Sequence, residues 1–302
     1  MRFSREVCHK ELLERVTKLQ IAHRDMDVSY IGQSVFGRPI PVITLGDKTA
    51  AKSVIYVSTH HANENVCTGV LLNFLEEYLN AYERGAQIHG INLQYLYKMR
   101  RIYIIPMLNP DGVEYRLNGV GEDNPIGERI LAYNGGDDFS SWSANARGVD
   151  LNHNYDAYFD EYKKIEKEKG LINGKTKYSG EYAESEPEVA ALAGFIRYNA
   201  EQIEGVLTLH TQGEEFYYMS NGKTPPRAEH LSRVISRMTG YTPTIAQGDS
   251  GMGGLTDWFI KEYNKPSFTL ECGKGTNPLP ISQMVSIYAR LKELLFTFPI
   301  LF

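Results

Sequence analysis

Apolar and polar positions along the chain switch repeatedly between a two-residue and a near-3.6-residue period, and the switches predict alternating strands and helices. Val7, Leu12, Leu13, Val16 and Leu19 approximate one helical stripe, which predicts a helix over 5–20 capped by Ser4. Two β-rich runs follow within VSYIGQSVFGRPIPVITLG, and the turn residues Phe36-Gly37-Arg38-Pro39 between them read as a hairpin. The run SVIYVST (53–59) is short, apolar and β-branched, the pattern of a strand buried on both faces. Helical spacing returns from Val66 to Tyr82, and RIYIIPML (101–108) reads as a strand.

Residues 110–145 are rich in Gly, Asn, Asp and Ser and predict a long surface loop, a feature that usually serves function in a compact domain. Ser185-Glu186-Pro187-Glu188 combines a capping-box pattern with a first-turn proline, so a helix starts there. Strands are predicted at 205–210, 215–220 and 266–271, and helices near 227–238, 254–264 and 281–297. The alternation runs through residues 1–302 without repeats or a clear linker. It predicts one α/β domain, with a largely parallel or mixed sheet and helices on both faces.

Composition narrows the function. The 302 residues are 42% hydrophobic and 23% charged, without a disorder signature, and the net charge is −5. No basic footprint points to nucleic acid or to an anionic membrane surface. Charges interrupt every apolar run of the N-terminus MRFSREVCHKELLERV, and nowhere do about eighteen apolar residues follow one another. A soluble, cytoplasmic protein is the expectation. Cys8, Cys67 and Cys272 are odd in number and lack metal-type spacing, which suits a reducing compartment without disulfides.

The candidate chemistry is positional. His61 falls just past the strand 53–59, His210 ends the strand 205–210, and Glu271 ends the strand 266–271. Ligands of open α/β sheets bind outside the carboxyl ends of the strands, so these side chains can share one crevice. His61-Ala62-Asn63-Glu64 places two ligand types three residues apart, where a tight turn turns both to one side. With His210 they form a His₂Glu set, the pattern of a catalytic zinc site with one open position. Donors of nitrogen and carboxylate without thiolate favour Zn²⁺, with Mn²⁺ or Co²⁺ as substitutes. His60, one residue further from Glu64, is assigned a supporting role. An H-x-x-E pattern alone recurs by chance; the strand-end placement of all three elements is what raises it.

The motifs in order are IGQSVFGRPI, HHANE, MLNPDGVEY, WSANARGVDLNHNYD, YSGEYAESEPEVAAL, LTLHTQG and GGLTDWFIKEYNKPSFTLECGKGTNPLP. Together they resemble the zinc carboxypeptidase family along nearly the whole chain, in particular its bacterial γ-D-glutamyl-diamino acid endopeptidase branch. The resemblance implies a twisted mixed sheet of about eight strands. It further implies one zinc held by His61, Glu64 and His210, with Glu271 as general base.

Three departures from the family pattern bear on chemistry. Ser143, not arginine, follows Trp142, which leaves Arg147 as the candidate partner of a developing oxyanion. The carboxylate clamp D-x-N-R-N reads Asp150-Leu151-Asn152-His153-Asn154, so Asn152 keeps its donor while His153 lacks the arginine fork. Asp249 stands where many members carry a mobile tyrosine. Thr256 falls at the floor of the specificity pocket, where a small polar residue suits a zwitterionic side chain such as that of diaminopimelate.

Other features have plain readings. Asn109-Pro110-Asp111-Gly112 is turn chemistry near the crevice, Glu186 and Glu188 suit a helix start, and Cys272 points away from Glu271 into the core. Gly273-Lys274-Gly275 lacks the spacing of a phosphate loop. The leading expectation is hydrolysis of an amide bond in cell-wall stem peptides, between γ-D-glutamate and a diamino acid, with a peptide or muropeptide as substrate. A carboxypeptidase or an N-acyl amino acid deacylase would use the same zinc. A non-cleaving peptide binder is the third class, and it has no physical need of all four polar residues.

Overall fold

The computed structural model describes residues 5–246 and 248–302, with the side chain of Asp249 also outside the description. The Ser4 cap and the Asp249 side chain therefore lie outside the described residues. Ten strands are described: β1 (Met26–Gln33), β2 (Pro39–Leu45), β3 (Lys52–Ser58), β4 (Gln87–Ile88), β5 (Ile91–Asn92), β6 (Arg100–Ile105), β7 (Ile203–His210), β8 (Glu215–Tyr217), β9 (Thr242–Thr244) and β10 (Ser267–Glu271). Strands β4 and β5 pair with each other, and the rest form an eight-stranded sheet in the order β1-β2-β6-β3-β7-β10-β8-β9.

The centre of that sheet, β6-β3-β7-β10, is parallel, and its flanks include antiparallel pairs. Every residue of β3 from Ser53 to Ser58 is buried, as expected of a strand covered on both faces. Tyr56 and Val54 pack with the helices Val66–Glu83 and Met284–Thr297 on one face. Ile55 and Val57 pack with the helices Pro187–Asn199 and Leu255–Tyr263 on the other. Parallel strands share a direction, so the carboxyl ends of β3, β7 and β10 open on one edge.

The predicted α/β class and the mixed eight-stranded sheet are those observed. The long loop expected over 110–145 is not: it carries the helices Pro110–Asn118 and Gly127–Asn134. Asn109 caps the first by accepting the Gly112 N–H at 2.9 Å, with Pro110 in the first turn, so the apparent turn sequence is a helix start. Val113, Tyr115 and Ile130 reach the core. Three apolar residues among glycines and acids do not register as a stripe, and tertiary burial decides their helices. The helix expected at Ser185 begins at Pro187, because Ser185 Oγ donates to Glu186 Oε1 at 2.9 Å instead of capping.

Candidate active site

The metal-site candidates are positioned by the ends of β3 and β7. After Ser58 the chain passes through Thr59 at φ +58° and enters a 3₁₀ turn over Ala62–Glu64, with His61 at its N-cap. That turn brings His61 Nδ1 to 3.0 Å from Glu64 Oε1. His210, the last residue of β7, sets its Nδ1 2.9 Å from Glu64 Oε2 and 3.3 Å from His61 Nδ1. One ligand atom from each of the three lies within 4.8 Å of the others. The sequence places Glu64 and His210 146 residues apart, and the sheet brings them together.

The donor set suits zinc. Two imidazole nitrogens and a carboxylate face one point, and no thiolate is among them. Burial opposes charge on Glu64, but the neighbouring His61 and His210 and their hydrogen bonds to it outweigh that and hold the carboxyl at about 2. Burial likewise disfavours a charged His61, yet Glu64 and Asp150 raise it well above its ordinary value. The anionic surroundings thus call for positive charge at this point. A divalent cation supplies it while leaving both imidazoles neutral, the form in which histidine ligates.

Asp150 is a member of this site that the motif reading did not assign. His61 Nε2 lies 3.0 Å from Asp150 Oδ1, while Asp150 Oδ2 accepts the Lys177 N–H at 2.9 Å and the Thr176 hydroxyl at 3.2 Å. The far ring nitrogen of His61 is therefore fixed by a carboxylate that is itself held, which orients the ring and raises its basicity. Replacing Asp150 by Asn is expected to weaken zinc binding about 10–100-fold. Competition against a chromophoric chelator measures this, and an unchanged affinity would reject the bracing role.

Glu271 ends β10 and is in parallel register with His210. It lines a cavity of about 240 Å³ together with His61, Asn152, His153, Thr256 and Asp257. Burial and the Glu64 charge push the Glu271 carboxyl up to about 8, against the opposing charge of His61. A cation held by the adjacent ligands acts in the same direction as His61 and favours the carboxylate.

The remaining sequence candidates divide. Asn152 Oδ1 accepts the Leu255 N–H at 3.2 Å, which leaves its amide N–H groups for the cavity. His153 bonds through Nδ1 to the Met252 carbonyl at 2.8 Å and stacks on Tyr162 at 4.2 Å, so its ring is fixed. Thr256 Oγ1 lies 2.9 Å from both Ser267 Oγ and Thr269 Oγ1 in a chain of buried hydroxyls. Arg147 is elsewhere. Its guanidinium stands 3.6 Å from Glu186, in a separate crevice with Arg129 and Tyr178. Ser143 turns its hydroxyl to the Lys175 carbonyl at 2.7 Å.

Besides Asp150, two charged residues of the cavity escaped the sequence reading. Asp257 is buried on the wall, and burial pushes its carboxyl up to about 7 despite the hydrogen bond from the Gly254 N–H. The wall that carries Thr256 therefore also carries an acid, a single position further along the chain. Lys177 also lines the cavity. Gly253 and Gly254 make this wall possible: a Cβ on Gly253 would lie 2.4 Å from the His153 carbonyl oxygen, and one on Gly254 2.9 Å from Asp257 Oδ2. His60 is buried, with Nε2 2.9 Å from the Tyr155 hydroxyl and its ring stacked on His210. Its ring packs against the second histidine, and Cys272 packs in the core as its pleat position implies.

A sheet that delivers two imidazoles and two carboxylates to the carboxyl ends of its parallel strands defines the class of metal-dependent hydrolases. The family model for zinc carboxypeptidases matches residues 13–293. The sequence is 34% identical over 279 residues to gamma-D-glutamyl-L-diamino acid endopeptidase 1 of Lysinibacillus sphaericus, covering 92% of this chain and 68% of that protein. It is 33% identical over 262 residues to the Bacillus subtilis protein YqgT, with coverage of 85% and 68%. The crystal structure of thrombin-activatable fibrinolysis inhibitor superposes with a TM-score of 0.73 at 21% identity, covering 96% of this chain and 73% of that one, a likeness of fold. The chain belongs to the zinc carboxypeptidase family and is a zinc-dependent metallopeptidase.

Proposed function

We propose that this peptidase hydrolyses the amide bond between γ-D-glutamate and a diamino acid in peptidoglycan stem peptides, with His61, Glu64 and His210 holding the zinc. The zinc, when bound, supplies a positive centre that acidifies water toward neutrality and polarises an amide carbonyl. Glu271 takes a proton from the attacking water and returns it to the leaving nitrogen. Asp150 keeps the His61 ring in place throughout.

The observation that carries the substrate class is the pairing of opposite polar groups in one cavity. Asn152 and His153 face it from one segment, suited to a carboxylate, and the buried acid Asp257 faces it from another. A carboxyl pushed up by burial ionises readily beside an ammonium, so Asp257 fits the distal amine of a diamino acid. Thr256 adds a hydroxyl to the same wall. Similarity to the Lysinibacillus sphaericus gamma-D-glutamyl-L-diamino acid endopeptidase supports the same bond type. Arg147 is assigned to substrate binding beyond the reacting bond: Val149 and Tyr178 line its crevice and Asp150 and Lys177 line the cavity, so the two share a wall.

The test is a product analysis by mass spectrometry. The zinc-loaded protein is incubated with L-Ala-γ-D-Glu-diaminopimelate and with a panel of ordinary α-linked peptides. Cleavage before diaminopimelate, with the ordinary peptides intact, is the expected result. Release of C-terminal residues from the panel at comparable rates would replace the proposal by a general carboxypeptidase.

A further inference from the structure

The cavity has an unbalanced wall. Asp150, Asp257 and Glu271 all line it, three carboxyl groups that offer a substrate carboxylate on the acyl side of the scissile bond no positive partner. Lys177 is the one lysine or arginine among the described residues that line it. Its side chain is exposed, while its backbone is held in an unusual conformation. The backbone stands at φ +67°, a left-handed conformation that strains a non-glycine residue.

Two hydrogen bonds hold it there. The Lys177 N–H donates to Asp150 Oδ2 at 2.9 Å, and its carbonyl accepts the Tyr162 hydroxyl at 2.7 Å. The other oxygen of Asp150 engages His61, so this backbone is tied rigidly to the candidate metal ligand. A side chain fixed at its root beside the reacting bond loses less freedom on binding than one on a mobile loop.

The proposed substrate supplies the matching anion. In a γ-linked glutamyl amide the scissile carbonyl belongs to the side chain, and the α-carboxylate is left free a few bonds away. An α-peptide bond has such a carboxylate only when the acyl residue is itself acidic, and then on a side chain. Resting on the γ-glutamyl reading above, we propose that Lys177 is a specificity-determining residue that binds this free α-carboxylate and thereby selects γ-linked over α-linked substrates. It is a point cation and makes no bidentate fork, which suits one carboxylate approached from a single direction.

The experiment is a two-by-two comparison of kcat/KM. The substrates are L-Ala-γ-D-Glu-diaminopimelate and its analogue with the glutamate α-carboxylate amidated. The proteins are wild type and Lys177→Gln, with Lys177→Arg as a charge-preserving control, each checked for zinc content and melting temperature. Wild type is expected to favour the free carboxylate about 10–100-fold, the range for a charge-assisted hydrogen bond. Lys177→Gln should lose that factor, mainly through KM, on the carboxylate substrate alone, and Lys177→Arg should retain the preference. Equal losses on both substrates, or no loss on either, would overturn the assignment while leaving the γ-glutamyl reading intact. Failure of wild type to cleave either compound would instead remove that reading, and the role of Lys177 with it.

Discussion

Glu271→Gln is expected to bind zinc as wild type does and to lower kcat by about 10²–10⁴-fold, the usual contribution of a positioned general base. Glutamine has the size of glutamate and keeps the strand end packed, but its amide cannot take a proton from water. Glu271 stands outside the convergent set of His61, Glu64 and His210, so its charge is not needed for donor count. The carboxyl is nevertheless close enough in register to His210 to serve the same reacting atoms. Zinc content by elemental analysis and kcat on the tripeptide separate the two roles. A variant that keeps most of its turnover would show that proton transfer runs through another group. A variant that loses its zinc would make Glu271 a ligand.

His210→Ala is expected to reduce zinc affinity by more than the 10–100-fold predicted for Asp150, because it removes a donor atom rather than the brace of one. Its loss also strips Glu64 of the partner 2.9 Å away and leaves a buried carboxylate with His61 and the Asn277 amide. Turnover should fall with the metal. Zinc bound to the native state stabilises it by mass action, about 2.7 kcal/mol at a hundredfold excess over Kd. Wild-type protein is therefore expected to melt at higher temperature when zinc is added after chelation, and His210→Ala is expected to show little of that rise. Full zinc stoichiometry in the variant would refute the assignment of His210 as ligand.

The residues that the sequence marked most clearly are those whose function is tied to the end of a strand. His210 and Glu271 each close a short apolar run, and such a run cannot hide a terminal polar residue. His61 and Glu64 were legible because a three-residue spacing in a tight turn has few geometric outcomes. Asp150 was visible as the first letter of a motif but not as a partner of His61, since 89 residues separate them and no local pattern records the contact. Asp257 was passed over beside Thr256. At the third position of a helix it resembles any acid favoured by the dipole, and only burial on the cavity wall distinguishes it. Arg147 was drawn toward the reaction by its charge and its neighbours in sequence. The fold sends its side chain over the wall to Glu186 instead.

By itself the sequence determined the alternation of strands and helices, the burial of the central strands, and the identity of the polar residues at three strand ends. These follow from the side-chain periods of 2 and 3.6 and from ligand chemistry, which are local properties. Only the tertiary structure decided which of several acids and cations face the cavity, that residues 110–145 fold into helices, and that Gly253-Gly254 lets Asn152 and Asp257 close on one space. Those outcomes depend on close approach between segments distant in sequence, and neither period nor spacing carries that information.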